Sequence, residues 1–433
     1  MAITGRAVAL AFAAVPVVLA AGVLAPQAAW ASVALVVLLI AADLALAPSA
    51  RRVALERSGD TSVRLGETAR VELLVSGPPG RALRGVLRDA WPPSAGAHPA
   101  RHPLRVPRGE RRRLATVLEP QRRGDHAAAG VTVRCLGPLG LAARQATHTA
   151  PWTLRALPPF HSRRHLPGKL ARLRELDGRT SALVRGQGSE FDSLREYVPG
   201  DDVRSIDWRA TARREAVVVR TWRPERDRRI LLVLDTGRTS AGRVGDVPRL
   251  DHSMDAALLL AALAAKAGDR VDLLAFDRRV RAQVRTRGRG TSVPAIVGAM
   301  APLEAELVES DPAAMAAAVL GGQGRSRRLV VLLTDLNASA LEEGLLPMLP
   351  ALTARHAVML AAVGDPAVEA MAAERGDARA AYRSAAARRT LADRRRVTAE
   401  LKRHGVEVVD APPDTIAPAL ADAYIAMKAQ GRL

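Results

Sequence analysis

The sequence predicts a multi-domain protein: an N-terminal transmembrane helical hairpin, a small antiparallel β-sandwich and a C-terminal α/β domain of the doubly wound class. Two apolar runs open the chain, short alternating segments between Gly and Pro turns follow, and unbroken apolar strands alternate with helical stretches after Arg226. At 433 residues the chain exceeds what one core usually organises. The divisions fall at 1–50 for the hairpin, 51–158 for the sandwich, 159–226 for a signature or linker segment and 227–433 for the α/β domain.

The hairpin rests on residues 7–25 and 29–47, each close to the ~20 apolar residues that span a bilayer. Pro16 would break a soluble helix, but an apolar segment of this length tolerates it when neighbouring groups satisfy the freed carbonyl. Arg6 precedes the first run and Arg51, Arg52 and Arg57 follow the second. The positive-inside rule therefore places both flanks, and the bulk of the chain, on the cytoplasmic face of the cell membrane. A cleaved signal peptide is the competing reading, with Ala29-Trp30-Ala31 as a small-x-small site; the second apolar run, starting at once, argues against export. Asp43, near the end of the second run, is expected at the interface and is assigned no role.

Charge and cysteine content exclude some classes. The net charge of +20 comes from 60 Arg and only 4 Lys spread through every segment. No basic run with interleaved aromatics accompanies it, so no nucleic-acid partner is expected. Cys135 is the only cysteine, which excludes disulfides within the chain and thiolate metal sites.

From Val53 to Pro158, segments such as ARVELLV, RRRLATVL and AGVTVRCL alternate apolar and polar residues between turns such as SGPPG and LGPLG, the pattern of antiparallel strands. The Pro-rich stretch WPPSAGAHPARHP carries His98 and His102, expected as solvated loop residues because the prolines forbid a helix that would align them as ligands. His161 and His165 share that spacing without a nearby third ligand.

Residues 186–215, GQGSEFDSLREYVPGDDVRSIDWRATARRE, crowd acids and bases around a Pro199-Gly200-Asp201 turn. The acids Glu190, Asp192, Glu196, Asp201, Asp202 and Asp207 stand among Arg195, Arg204, Arg209, Arg213 and Arg214. Near-equal numbers of the two signs fit an ion-pair network that docks the segment onto the next domain better than general acid and base catalysis.

After Arg226, strands are expected at 229–235, 270–276, 328–334, 356–363 and 405–409, with helices between them at about 251–267, 291–301, 311–320 and 339–353, a long helical stretch to 403 and a last helix. Such alternation gives a parallel sheet covered on both faces, with ligands bound at the C-terminal strand ends. Two strands end in a carboxylate, Asp235 after LLVL and Asp335 after LVVLLT, and the two converge if their strands are neighbours. Thr239, Ser240 and Ser310 add hydroxyls; oxygen ligands of this kind suit a hard cation such as Mg²⁺.

The strand, the D-x-S-x-S-like loop and the later T-D loop resemble a von Willebrand factor type A domain, a Rossmann-like fold with a metal-ion-dependent adhesion site. EFDSLREYVPGDDVRSIDWRATARR, preceded by PQRRGDHAAAGVTVRCLGPLGL, closely resembles the bacterial family called domain of unknown function 58. On the type A pattern the resemblance implies metal ligands at Asp235, Thr239, Ser310 and Asp335. The first serine of that pattern falls on Gly237, which has no side-chain oxygen, and Arg238 brings a positive charge beside it.

The resemblance also implies a MoxR-type AAA+ ATPase as partner, in protein maturation or envelope-related processes. The chain has no GxxxxGK[ST] motif, and its GGQGRS precedes a strand instead of opening a helix. A membrane-anchored interaction scaffold with no enzymatic activity is therefore expected. A metal-dependent hydrolase using the strand-end carboxylates and a binder of anionic polymers are the alternatives.

Overall fold

The computed structural model describes residues 2–24, 26–78, 81–183, 190–214, 216–223, 228–286, 293–321 and 327–433. The chain divides into two compact units, Met1–Leu157 and Pro158–Leu433.

The first unit opens with helices Gly5–Leu24 and Pro26–Leu46. Pro16 lies inside the first, as a long apolar helix permits, and Pro26 opens the second, where its missing N–H costs nothing. One helical stretch, Gln27–Arg52, is long and apolar enough to cross a membrane, and the apolar part of the first helix, Gly5–Ala20, is shorter. Leu35, Val37 and Leu38 of the second helix face outward, so its apolar surface is not spent on a protein core.

Asp43 has a structural role that the sequence reading did not give it. Its carboxylate is fully buried and accepts backbone N–H bonds from Leu139 (2.7 Å), Leu141 (2.7 Å) and Ala142 (2.8 Å), in and just after the LGPLG turn of the sandwich. A Cβ on Gly137 would fall 2.3 Å from that carboxylate, so the turn requires glycine there. The orphan carbonyls of the helix end are also satisfied from the sandwich: Arg144 donates to Leu44 O (3.1 Å) and Arg81 to Leu46 O (3.2 Å). At the other end of the hairpin, Ala2–Ile3 pairs with strand Ala142–His148, and the Thr4 hydroxyl donates to Gly140 O at 2.6 Å.

The sandwich holds a five-stranded sheet whose outer strands are Ala2–Ile3 and Arg101–Val106, a three-stranded sheet of Ala54–Gly59, Ala69–Ser76 and Arg111–Leu118, and a small third sheet. Pairing is antiparallel except between Ser62–Arg64 and Thr153–Leu157. Leu73, Val75, Leu87, Leu104 and Val133 alternate inward to form the core, with Cys135 among them; burial pushes its thiol up to about 11. His102 corrects the expectation of a solvated loop. It sits buried on Arg101–Val106, bonded to the Thr116 hydroxyl at 3.0 Å, and desolvation lowers its imidazole below the ordinary value. Thr116 donates in turn to Asp89 (3.2 Å), which closes a buried ion pair with Arg57 at 2.7 Å.

In the second unit the central sheet comprises β1 (Arg229–Asp235), β2 (Arg270–Phe276), β3 (Val280–Val284), β4 (Leu329–Leu333), β5 (Ala357–Val363) and β6 (Glu407–Ala411). Their order is β3-β2-β1-β4-β5-β6, all parallel except β3, an antiparallel edge strand that the sequence reading lacked. Helices α1 (Arg249–Lys266), α2 (Pro312–Leu320), α3 (Pro366–Ala373), α4 (Ala378–Arg403) and α5 (Pro413–Ala429) cover it. Leu231, Val233, Val330, Leu332 and Leu360 pack on one face against α2, α4 and residues 341–352. The alternate residues of β1, Ile230, Leu232 and Leu234, are equally buried, as expected of a sheet covered on both sides.

Two expected helices break. The stretch at 339–353 becomes a helical turn, a π-helical stretch and two short helices, because Pro347 and Pro350 withhold donors. The long stretch to 403 divides where Gly376 takes φ +148° and Asp377 caps α4 through Ala380 N.

Replacing Asp89 by Ala strands the Arg57 guanidinium in the sandwich and is expected to cost about 3–5 kcal/mol. Thermal unfolding in detergent checks this, and Asp89→Asn, which keeps the shape, should fall between the variant and the wild type.

Candidate functional site

The order 3-2-1-4-5-6 reverses between β1 and β4, and the crevice outside the carboxyl ends of these strands is where such sheets bind ligands. Asp235 stands at that point. Its Oδ1 accepts from Gly237 N (2.9 Å) and the Ser310 hydroxyl (2.5 Å), and its Oδ2 from the hydroxyls of Thr239 (3.0 Å) and Thr334 (2.6 Å). One carboxylate thus gathers the β1 loop, the loop before α2 and the end of β4. Backbone bonds reinforce the assembly, Arg238 N to Val308 O at 2.7 Å and Glu306 N to Thr236 O at 2.8 Å.

The structure therefore brings together three of the four residues expected as ligands, Asp235, Thr239 and Ser310. Thr334, which sequence reasoning passed over although it stands in the same T-D pair, completes the group. Asp335 is held elsewhere: Arg394 donates to one of its oxygens at 2.7 Å and Arg249 to the other at 3.2 Å. Arg394 also grips Asp410, at the end of β6, with two bonds of 3.2 and 2.7 Å. Burial works against the Arg394 charge, but Asp410 and Asp335 outweigh it and hold the guanidinium protonated above the ordinary arginine range. Nothing in the sequence pointed to Arg249, Arg394 or Asp410, which come from α1, α4 and β6. Beside them lies a cavity of about 560 Å³, lined by Asn337, Asp365, Glu369 and Asp393 as well as these charges.

The donors do not fit the divalent-cation set that the resemblance implies. Asp335 gives both oxygens to arginines, and Gly237 contributes no side-chain oxygen. A Cβ at Gly237 would lie 2.3 Å from Ser310 Oγ and 2.9 Å from Val308 O, so the Ser310 loop fills the space of the missing serine. Arg238 turns outward and pairs with Glu309 at 2.8 Å. Among the described residues no group of three or more His, Cys, Asp or Glu side chains is placed to hold a metal.

The signature segment forms a hairpin of Glu190–Glu196 with Val218–Arg223, followed in from its tip by the short helix Trp208–Arg214. Its acids work locally. Asp207 accepts from Arg209 N and Ala210 N at 3.0 Å each and pairs with Arg220 at 2.8 Å. Asp201 pairs with Arg195 at 2.5 Å and accepts from Val198 N, and Asp202 caps the turn that follows. Hydrogen bonding, from Ala210 N to Asp207 and from Arg195 to Asp201, holds both carboxyls below the usual range. These pairs close within the segment instead of reaching to the sheet. The side chains of Glu190 and Asp192 lie outside the described residues.

Fold and site define a doubly wound α/β domain with a hydroxyl-lined carboxylate at its switch point, on a chain that begins with an apolar helix. Residues 193–405 match the family described as protein of unknown function DUF58. It is 30% identical over 195 residues to uncharacterized proteins of Mycobacterium tuberculosis and Mycobacterium bovis, a match covering 44% of this chain and 60% of each relative. The chain thus spans about 60% of the length of the curated relatives it matches. Among solved structures, it is similar to the VWA domain of SpRpn10 (11% identity, TM-score 0.28, 46% of this chain and 93% of that one). It is also similar to the RO protein of Deinococcus radiodurans (15% identity, TM-score 0.24, 49% of this chain and 36% of that one).

Because the Ser310 hydroxyl occupies the space beside Gly237, Gly237→Ser is expected to destabilise the second unit by about 1–3 kcal/mol through overpacking. Ser310→Ala in the same chain should recover part of that loss, and a double-mutant cycle on thermal unfolding measures the coupling.

Proposed function

We propose that this chain is a membrane-anchored, cytoplasm-facing protein-interaction scaffold, not an enzyme. Its C-terminal domain, of von Willebrand factor type A-like kind, serves with the signature segment to engage a MoxR-type AAA+ ATPase in protein maturation or envelope-related work. The observation that carries this reading is the surface of the signature stretch. Trp208 is 67% exposed, Val203 62% and Val198 54%, large apolar side chains left in solvent while the acids around them are satisfied locally. Aromatic residues of this kind concentrate the binding energy of protein interfaces. With no phosphate-binding loop in the chain, the energy for remodelling a client comes from the partner.

Both N-terminal helices span the membrane in this reading, with Arg6, Arg51 and Arg52 on the cytoplasmic side. Asp43 ties the end of the second helix to the sandwich, which supports placing the sandwich on that same side. Cys135 is buried and its thiol is raised, so it stays silent to thiol reagents. A cysteine placed at the exposed Arg108 should therefore react with a membrane-impermeant maleimide only after the cells are opened. Labelling of intact cells would reverse the orientation.

For the interaction itself, Trp208→Glu is expected to abolish recovery of the ATPase from native membranes while leaving unfolding within about 0.5 kcal/mol of wild type, as surface substitutions do. Undiminished recovery would remove the signature surface from the interface. Failure of the wild type to recover an ATPase would overturn the partner assignment.

A further inference from the structure

We infer that the switch-point site carries its own cation: the guanidinium groups of Arg249 and Arg394 supply to Asp335 the positive charge that a divalent metal would otherwise bring, and recognition at this crevice is independent of divalent metal. The placement of the groups carries the argument. Arg394 bridges the carboxylates that end two strands, Asp335 beyond β4 and Asp410 on β6, and Arg249 closes on the free oxygen of Asp335 from α1. The Asp335 side chain is 10% exposed and that of Arg394 12%. Arg249 is 21% exposed.

Within this cluster two carboxylates and two guanidinium groups balance, so Asp335 itself carries no uncompensated negative charge to draw a hard cation. A divalent ion reaching Asp335 would have to displace both arginines, taking from Arg249 its ion pair and from Arg394 one of its two carboxylates, which is unfavourable for charges this far from water. On the Asp235 side a single carboxylate remains, and its oxygens already accept three hydroxyls and an amide. Mg²⁺ demands near-octahedral oxygen geometry and gives up its waters reluctantly, so one carboxylate with neutral hydroxyls is a weak holder. The Gly237 position adds an independent indication: the chain lacks the hydroxyl there, and its neighbour has moved into the space.

The test uses the full chain in detergent and Mn²⁺ alone as probe, following the free-ion signal by electron paramagnetic resonance. Wild type and Asp235→Ala are expected to titrate alike, without a saturable site that distinguishes them. The double variant Arg249→Gln/Arg394→Gln, which releases Asp335, is expected to gain stoichiometric Mn²⁺ uptake. A stoichiometric site in wild type that Asp235→Ala or Asp335→Asn removes would overturn the inference. A rise in the unfolding temperature of wild type on adding Mg²⁺, absent in Asp335→Asn, would overturn it as well and does not depend on how well Asp235→Ala folds. The inference about recognition rests on the proposed interaction role, and a separate arm tests it: recovery of the ATPase should be equal in EDTA and in Mg²⁺. Recovery that requires Mg²⁺ counts against metal independence, whereas no recovery in either buffer overturns the partner assignment and leaves the Mn²⁺ result standing.

Discussion

The second unit depends on one carboxylate. Asp235 ends one of the two central strands of the sheet, where the parallel arrangement delivers unpaired backbone groups and loops to a single edge. Three loops meet there, and each offers a hydroxyl or an amide. Without a common acceptor they would have separate ways of satisfying those donors; with Asp235 they share one. The bonds join residues up to 99 positions apart, Thr334 being the farthest, so the loop geometry is a tertiary property fixed only when β1 and β4 lie side by side.

The framework was legible in the sequence because strand burial leaves a direct trace. RILLVLD and LVVLLT are unbroken apolar runs, and β1 and β2 fall on the expected residues. β3 was missed because VRAQV is half-exposed and breaks the apolar pattern that identifies interior strands. The hairpin of the signature segment was missed for a related reason: its charges dominate the pattern and hide the strand alternation. Helix breaks at Pro347, Pro350 and Gly376 were written in the sequence as prolines and a glycine, yet a long helical composition outweighed them.

The site was half legible. Its β1 loop is local, and the spacing of Asp235 and Thr239 gave it away. Asp335 was placed correctly at a strand end, but its partners come from helices 59 and 86 positions distant, and no local pattern marks an arginine that will reach across a sheet edge. The composition worsens this, since 60 arginines distributed through the chain make any one of them unremarkable to read. The same difficulty hid Arg57, whose buried pairing with Asp89 and packing over Trp91 at 5.1 Å looked like one more membrane-flanking charge. In an arginine-rich chain the informative residues are the few arginines that burial forces to find a carboxylate.

The staple at Asp43 bears on the order in which this protein is made. The three amides that the carboxylate accepts lie 96, 98 and 99 residues further along the chain. When the second apolar helix leaves the ribosome, those amides have not yet been synthesised, and Asp43 must remain hydrated until the turn that receives it has emerged and folded. An early exit of this aspartate from water is therefore disfavoured, and the helix end settles only once the sandwich exists. Settling of the apolar N-terminal segment is in this way deferred to the folding of a domain that follows it.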